Sequence, residues 1–360
     1  MKRIFFIIVV LVITFSLAAC GEDKQAEQQP KEEKGCEIAV IAEGPDVGNV
    51  TVSHTAWKSV RSFADENGIA AGMYEPEEAT KEKYIAAIQQ AVDDGAKLVV
   101  LPGAGFETTA YQAQSAYADV DFLLIDGVPH DENNTYATAA NTIGIIFAEE
   151  EAGYMAGYAA VKEGYDKLGF MGGQVIPEIK RYGYGFVQGA AAAAAETETK
   201  VEVNYKYTGT SAASDDAEAL AAGWYKNGTQ VIFACGGNLS SSVIKASEAS
   251  KGKVIGSDID QSSLSENVIT SAEKGIDAAV ETVLKSYAGE KFVGGTAFNY
   301  AAKNDGVMLE TENAGFQNFS EEEYKKLFRQ LKNGKIELKK DNVVKSVSEL
   351  AGEWVTIKEQ

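Results

Sequence analysis

Residues 97–127 read KLVVLPGAGFETTAYQAQSAYADVDFLLIDG, and this stretch decides the fold. Lys97–Leu101 and Asp121–Ile125 are short, continuous apolar runs, and the Thr108–Ala118 segment between them reads as a helix. Apolar runs without alternation, joined through a helix, mark parallel strands buried on both faces. The stretch therefore predicts a strand–helix–strand crossover, with Pro102–Phe106 turning after one strand and Asp126 directly after the next.

The same alternation extends in both directions. Upstream lie a strand (Glu37–Ala42, EIAVIA), a helix (Ser53–Glu66), a strand (Ala71–Tyr74) and a helix (Glu77–Asp94). The last carries Tyr84, Ile85, Ile88 and Val92 on one face at three-to-four spacing. A second series begins near Gly144. Its helices are Glu149–Val161, Glu178–Ala195, Asp215–Lys226 and Ser240–Ser250; its strands are Lys167–Met171, Glu202–Tyr207, Gln230–Ala234 and Lys253–Ser257. Two such series predict an α/β protein of two doubly wound lobes. After Asp260 come a strand (Val268–Ser271), a helix (Ile276–Tyr287), strand pieces at Phe298–Ala302 and Gly306–Leu309, and a helix (Glu321–Leu331). This tail is too short for a third domain and is expected to cross back between the lobes as a multi-strand hinge. The expected division is 36–143 plus about 269–302 for the first lobe, and 144–268 plus about 303–360 for the second.

The N-terminus has a different character. Met1-Lys2-Arg3, an apolar run from Ile4 to Leu17 and the small-residue sequence Leu17-Ala18-Ala19-Cys20 have the form of a secretory leader, residues 1–19, ending at a lipid-modified Cys20. The run falls short of the roughly 20 residues that a spanning helix needs. Residues 20–35 are polar and charged, with too little apolar surface to fold, and read as a flexible spacer. The expected location is the outer face of the cell membrane, held by acyl chains, two or more of which anchor stably.

With 33 basic and 53 acidic residues, a net charge of −20, the chain is a poor partner for nucleic acid or an anionic membrane surface. Two histidines argue against a His-rich metal site, and no cofactor is expected. Beyond Cys20 only Cys36 and Cys235 remain; a disulfide is compatible with export, and the favoured reading is two small buried residues at strand positions.

Ligands of open α/β sheets sit off the carboxyl ends of the strands, so the residues just after the strands are the candidates. Asp46 and Asn49 follow the first strand and suit either helix capping or ligand contact. Asp126 follows DFLLI, and a carboxylate there can accept two hydroxyl hydrogen bonds. In the second series Tyr182, Tyr184 and Phe186 lie early in a helix where an aromatic ring can stack on a flat ligand, with at least one of them in the core. Gly236 and Gly237 follow VIFAC, and Asp258 and Asp260 follow VIGS. A carboxylate pair can serve acid–base chemistry, but no nucleophile elbow or metal triad accompanies it, so binding rather than catalysis is expected.

At Phe147–Tyr158 the sequence FAEEEAGYMAGY resembles the F-x-E-E-E-A-G-[FY]-x-A-G signature of the basic membrane protein family. Three further segments fit in order: Gly169–Pro177 (GFMGGQVIP), Gly256–Gln261 (GSDIDQ) and Thr270–Asp277 (TSAEKGID). The resemblance spans Glu37 to Gly306. These proteins are substrate-binding lipoproteins of ABC importers, typified by a purine nucleoside receptor with a type I periplasmic-binding-protein fold. The resemblance implies a nucleoside-like ligand, a permease and an ATPase as partners, and a monomer. It implies Asp126, Asp258 and Lys274 as the ribose-binding set, Tyr182 or Phe186 as the stacking ring, Gly236 and Gly237 as points of backbone approach, and Asn49 at the base. The first lobe departs from the family's D-x-S-F-N-x-x-x-W segment: aligned on Trp57, Asn49 stands at the Asp, Val52 at the Phe and Ser53 at the Asn. His54 or Phe106 would have to supply a ring there. A free base, a flavin or a sugar is the rival ligand, and a surface sensor without a transporter is the rival role.

Overall fold

The computed structural model describes residues 35–45 and 50–360. The leader, Cys20, the spacer up to residue 34, and Asp46 to Asn49 lie outside the described residues.

The apolar runs become strands and the segments between them become crossovers. The first sheet takes β1 (Ile38–Ile41), β2 (Ala71–Tyr74), β3 (Leu98–Pro102), β4 (Asp121–Ile125) and β5 (Thr142–Phe147), connected through α1 (Val52–Asn67), α2 (Lys81–Asp93) and α3 (Glu107–Ala116). β1 and β3 are buried along their whole length, as non-alternating apolar sequence requires. Thr51 caps α1 by accepting from the His54 N–H, and Gly68 ends that helix at φ 67°.

The second sheet follows through α4 (Glu149–Lys162), β6 (Lys167–Gly172), α5 (Pro177–Thr197), β7 (Val201–Tyr207), α6 (Asp215–Lys226), β8 (Val231–Cys235), α7 (Leu239–Ser250), β9 (Lys253–Asp258) and β10 (Val268–Lys274). The chain then returns through α8 (Ile276–Ala288) and β11 (Thr296–Tyr300), crosses again to β12 (Val307–Leu309), and ends with α9 (Glu321–Lys332) and β13 (Val355–Glu359).

The strand orders are β2-β1-β3-β4-β5-β11 and β13-β7-β6-β8-β9-β10-β12. All pairs are parallel except β10 with β12. The two sheets repeat one winding, so β4 and β9 hold equivalent places, as do β5 and β10. Three segments cross between the sheets, at Phe147–Glu149, Lys274–Ile276 and Tyr300–Val307. They are laced by the Ala148 N–H donating to the Tyr300 carbonyl at 2.8 Å and the Gly275 N–H donating to the Gly306 carbonyl at 2.9 Å.

These pairings correct the expected lobe limits. β5 pairs with β4 and β11, so the first lobe runs on to Phe147 rather than ending at residue 143. β10 pairs with β9, so the return to the first lobe starts at Gly275 rather than near residue 269. In each case the last strand of a sheet is followed by a helix that packs on the other lobe, which hides the boundary from sequence periodicity. β13, parallel to β7, is an edge strand that the sequence reading did not include.

Cys36 and Cys235 are both free and buried, so no disulfide joins them. Among the described residues no helix is long and apolar enough to cross a membrane.

The tightest packing lies between α4 and α5. A methyl group placed on Gly153 or Gly157 would overlap the backbone of Tyr182 or Phe186, and one placed on Gly185 or Gly189 would overlap the backbone of Glu150 or Tyr154. Two glycine pairs at four-residue spacing thus interlock backbone against backbone. Gly157→Ala should destabilise the fold by about 1–3 kcal/mol, the cost of overpacking where only main chain could yield. Gly223→Ala, in α6 with open space around it, should be neutral or stabilising by up to about 1 kcal/mol. Urea unfolding of the two variants checks both.

Candidate ligand-binding site

A cavity of about 520 Å³ lies between the carboxyl ends of the two sheets. The first lobe contributes the turns after β1 (Ala42–Pro45) and β3 (Gly103–Gly105), with Asp126 after β4. The second contributes Ile176, Glu178, Ile179 and Tyr182 from the start of α5, Gly236–Asn238 after β8, and Asp258 and Ile259 at the end of β9. Lys274, the last residue of β10, closes it at the hinge.

Lys274 organises the floor. Its Nζ is 2.9 Å from Asp126 Oδ1, 2.9 Å from Asp258 Oδ1 and 3.8 Å from Glu149 Oε1. The Lys274 side chain is 2 % exposed. The ammonium lies 5.7 Å from the centre of the Phe147 ring and 5.6 Å from that of Tyr182, within cation–π range. Burial alone would lower the Lys274 pKa; Asp126 and Asp258 more than reverse that and hold it well above its ordinary value. The Tyr182 hydroxyl is 3.3 Å from Asp258 Oδ1 and 3.2 Å from the Ala272 carbonyl, to either of which it can donate.

Asp126 and Asp258 stand at equivalent strand ends, one in each lobe, and both have left-handed backbone, φ 66° and 71°. Non-glycine residues rarely adopt this conformation, and where they do it clusters at functional sites. The turns after the equivalent strands β3 and β8 show the same habit, with Gly103 at φ 145°, Gly236 at φ 117° and Gly237 at φ 47°. A side chain on Gly103 would overlap the Glu43 carboxylate.

The cavity carries more acid than base. Burial pushes Asp126 up to about 6: Lys274 draws it down, while Asp258 and Glu149 push it up. Glu43, exposed on the first-lobe side of the cavity, accepts from the Gly105 N–H. Glu178 is raised well above its ordinary value, chiefly by burial.

The structure brings Asp126, Tyr182, Gly236, Gly237, Asp258 and Lys274 into one cavity. It does not bring Phe186 there. One turn beyond Tyr182, Phe186 points into the core beneath the helix, with ring centres 5.4 Å from Phe233 and 6.4 Å from Phe170. Phe106 is likewise buried, 4.2 Å from Tyr84, and supplies no ring to the cavity. Asn49 lies outside the described residues. Tyr182 is 1 % exposed, packs at 88° on Phe233 and brings its hydroxyl to Asp258 at the cavity floor. It is the only aromatic among the described lining residues.

Sequence reasoning missed Glu43, Glu178 and Ser211 as lining groups, and Glu149 behind Lys274. Glu43 directly follows EIAVIA and was legible by the strand-end rule. Glu178 looked like an ordinary acid in a first helical turn. Outside the cavity, carboxylate oxygens of Asp260, Glu273 and Glu310 lie within 4.8 Å of one another. Burial and the neighbouring acids push Glu273 up to about 8, so a held proton relieves the crowding there.

Two doubly wound lobes facing one another across a polar cavity, joined by three crossings, define a hinged solute-binding protein. The chain belongs to the Bmp family, the PnrA-like ABC transporter substrate-binding proteins, whose family model matches residues 36–342. It is 26 % identical over 338 residues to the "ABC transporter nucleoside-binding protein BmpA" of Lactococcus lactis subsp. cremoris, covering 87 % of this chain and 92 % of the relative. It is 27 % identical over 352 residues to Basic membrane protein D of Borreliella burgdorferi, covering 95 % and 96 %. Its fold matches that of a solute-binding protein of an ABC transporter system from Aeropyrum pernix K1 at a TM-score of 0.67, with 19 % identity and 88 % and 90 % of the two chains covered.

The raised acids make the ligand-free protein pH-sensitive. An acid whose folded pKa lies above its unfolded value of about 4 keeps an extra proton in the folded state between the two values, so stability falls as pH rises through that window. For Asp126 the window closes at about 6 and for Glu273 at about 8. The urea midpoint should therefore decline from about pH 4 to 8, and Glu273→Gln should flatten the upper end of that decline.

Proposed function

We propose that the chain captures a nucleoside-like ligand in the interlobe cavity and delivers it to an ABC importer, tethered at the outer face of the cell membrane through Cys20. The observation that carries this reading is the Asp126–Lys274–Asp258 cluster, in which two carboxylates from opposite lobes meet one ammonium at 2.9 Å each. Vicinal ribose hydroxyls are both donors and acceptors, so they can donate to the carboxylates and accept from the ammonium. A ligand held this way touches both lobes and the hinge at once, which is what hinge closure requires. The name borne by the Lactococcus relative supports the same class of ligand.

The base end is different. With Val52 and Ser53 in the lining and no first-lobe ring among the described lining residues, the base meets apolar contact and carboxylate acceptors rather than an aromatic sandwich. A free base would leave the hydroxyl-binding cluster unused, which ranks it below a nucleoside.

Thermal unfolding with nucleosides, free bases, riboflavin and simple sugars tests the reading. A ligand at about 100 times its dissociation constant should stabilise the protein by roughly 2.7 kcal/mol. Stabilisation by nucleosides but not bases is the expected result, and Asp258→Ala should abolish it while the protein stays folded. A response confined to flavin or sugar, or a folded Asp258→Ala protein with unchanged affinity, would sink the assignment. Cys20→Ser should move the protein from the membrane fraction to the soluble fraction; retention in the membrane would refute the anchor.

A further inference from the structure

Three consecutive glutamates open α4, directly after the first crossing, and each reaches a different part of the hinge region. Glu149 is 1 % exposed at its side chain; its Oε1 faces Lys274 Nζ at 3.8 Å, at the second crossing. Its Oε2 accepts from Arg181 Nε on α5 at 2.6 Å. Glu150, equally buried, pairs with Lys340 in the tail, and its Oε2 lies 4.0 Å from Arg181 Nε. Glu151 accepts from the Ala302 N–H at 2.6 Å, at the third crossing.

Lys274, Glu149, Arg181, Glu150 and Lys340 thus form a line of alternating charge from the cavity floor to the tail. A lysine ammonium has three donors. Asp126 and Asp258 approach it to 2.9 Å each, and Glu149 to 3.8 Å. Asp126 moves with the first lobe, whereas Glu149 is tied by Arg181 to the second. Breaking one partner of a buried charge pair leaves an uncompensated charge, so this line resists rearrangement.

We propose that Glu149, fixed by Arg181, is a positioning residue of the binding site: it holds the Lys274 ammonium at the point where the aspartates of the two lobes meet it. The inference rests on the reading of Asp126, Asp258 and Lys274 as the ligand-binding cluster. Neither Glu149 nor Arg181 lines the cavity, so they act on a ligand through Lys274.

The test uses Glu149→Gln, with Glu151→Gln as the comparison. The first readout is the side-chain ammonium resonance of Lys274 in protein carrying ¹⁵N-labelled lysine, assigned by its loss in Lys274→Met. The second is affinity for the nucleoside that stabilises the wild type most. Glu149→Gln should shift or exchange-broaden the ammonium signal and weaken binding at least about tenfold, the size expected for a lost charge-assisted contact. Glu151→Gln should leave the signal in place. Should Glu149→Gln fail to fold, the double variant Glu149→Gln/Arg181→Met leaves neither partner unpaired and should show the same two changes. An unmoved ammonium signal with unchanged affinity in a folded variant overturns the proposal, as does an equal shift in Glu151→Gln. If no nucleoside stabilises the wild type, the nucleoside reading fails, and the ammonium signal alone still decides the role of Glu149.

Discussion

A single buried ammonium is the point on which the two lobes converge. Lys274 ends the last central strand of the second sheet, Asp126 comes from the first, Asp258 from the second, and no other cation lies within 4 Å of either aspartate among the described ion pairs. Two carboxylates this deep would repel one another and carry a large desolvation cost without it. The lysine in turn stays charged in so dry a place only because both are present. The setting of Tyr182 belongs to the same cluster, its hydroxyl lying 3.3 Å from Asp258 Oδ1.

The repeated winding explains why the cluster is symmetric. Asp126 and Asp258 occupy matching strand ends with matching left-handed backbone, and Gly103 and Gly236 turn the chain after matching neighbours. The symmetry breaks where β5 and β10 end. There Phe147 and Lys274 hold comparable places, and the ammonium rests 5.7 Å from the Phe147 ring centre. One lobe sets an aromatic ring behind the ammonium and the other supplies the charge itself, so the duplicated frame yields an asymmetric cluster.

Much of this was readable in the residues. Continuous apolar runs such as KLVVL and DFLLI forced parallel buried strands, and the rule that ligands sit off strand ends found Asp126, Asp258 and Gly236. Lys274 came from a motif resemblance, since nothing in its own neighbourhood marks a lysine as buried. Phe186 failed for a geometric reason: spacing along α5 places it on the face of Tyr182, but one turn deeper, where the helix has sunk against the sheet beside Phe170 and Phe233. The ends of β5 and β10 were misassigned because a strand's lobe is decided by its lateral partners, which local periodicity does not record. Glu149 and Arg181 were invisible as a pair because 32 residues separate them.

The glycine interlock of α4 and α5 has a wider consequence. Where backbone meets backbone there is no room for a side chain, so the sequence of that crossing has almost no freedom to drift. The turns after the strands are restricted differently: the backbone of Gly103, Gly236 and Gly237 is held at positive φ, while side chains beside them open onto the cavity. The same helix α5 thus packs through its glycines on α4 and presents Glu178, Ile179 and Tyr182 to the cavity, so a fixed backbone carries the recognising side chains. A change of cargo can then be made in side chains alone, with the backbone that carries them left where the glycines hold it.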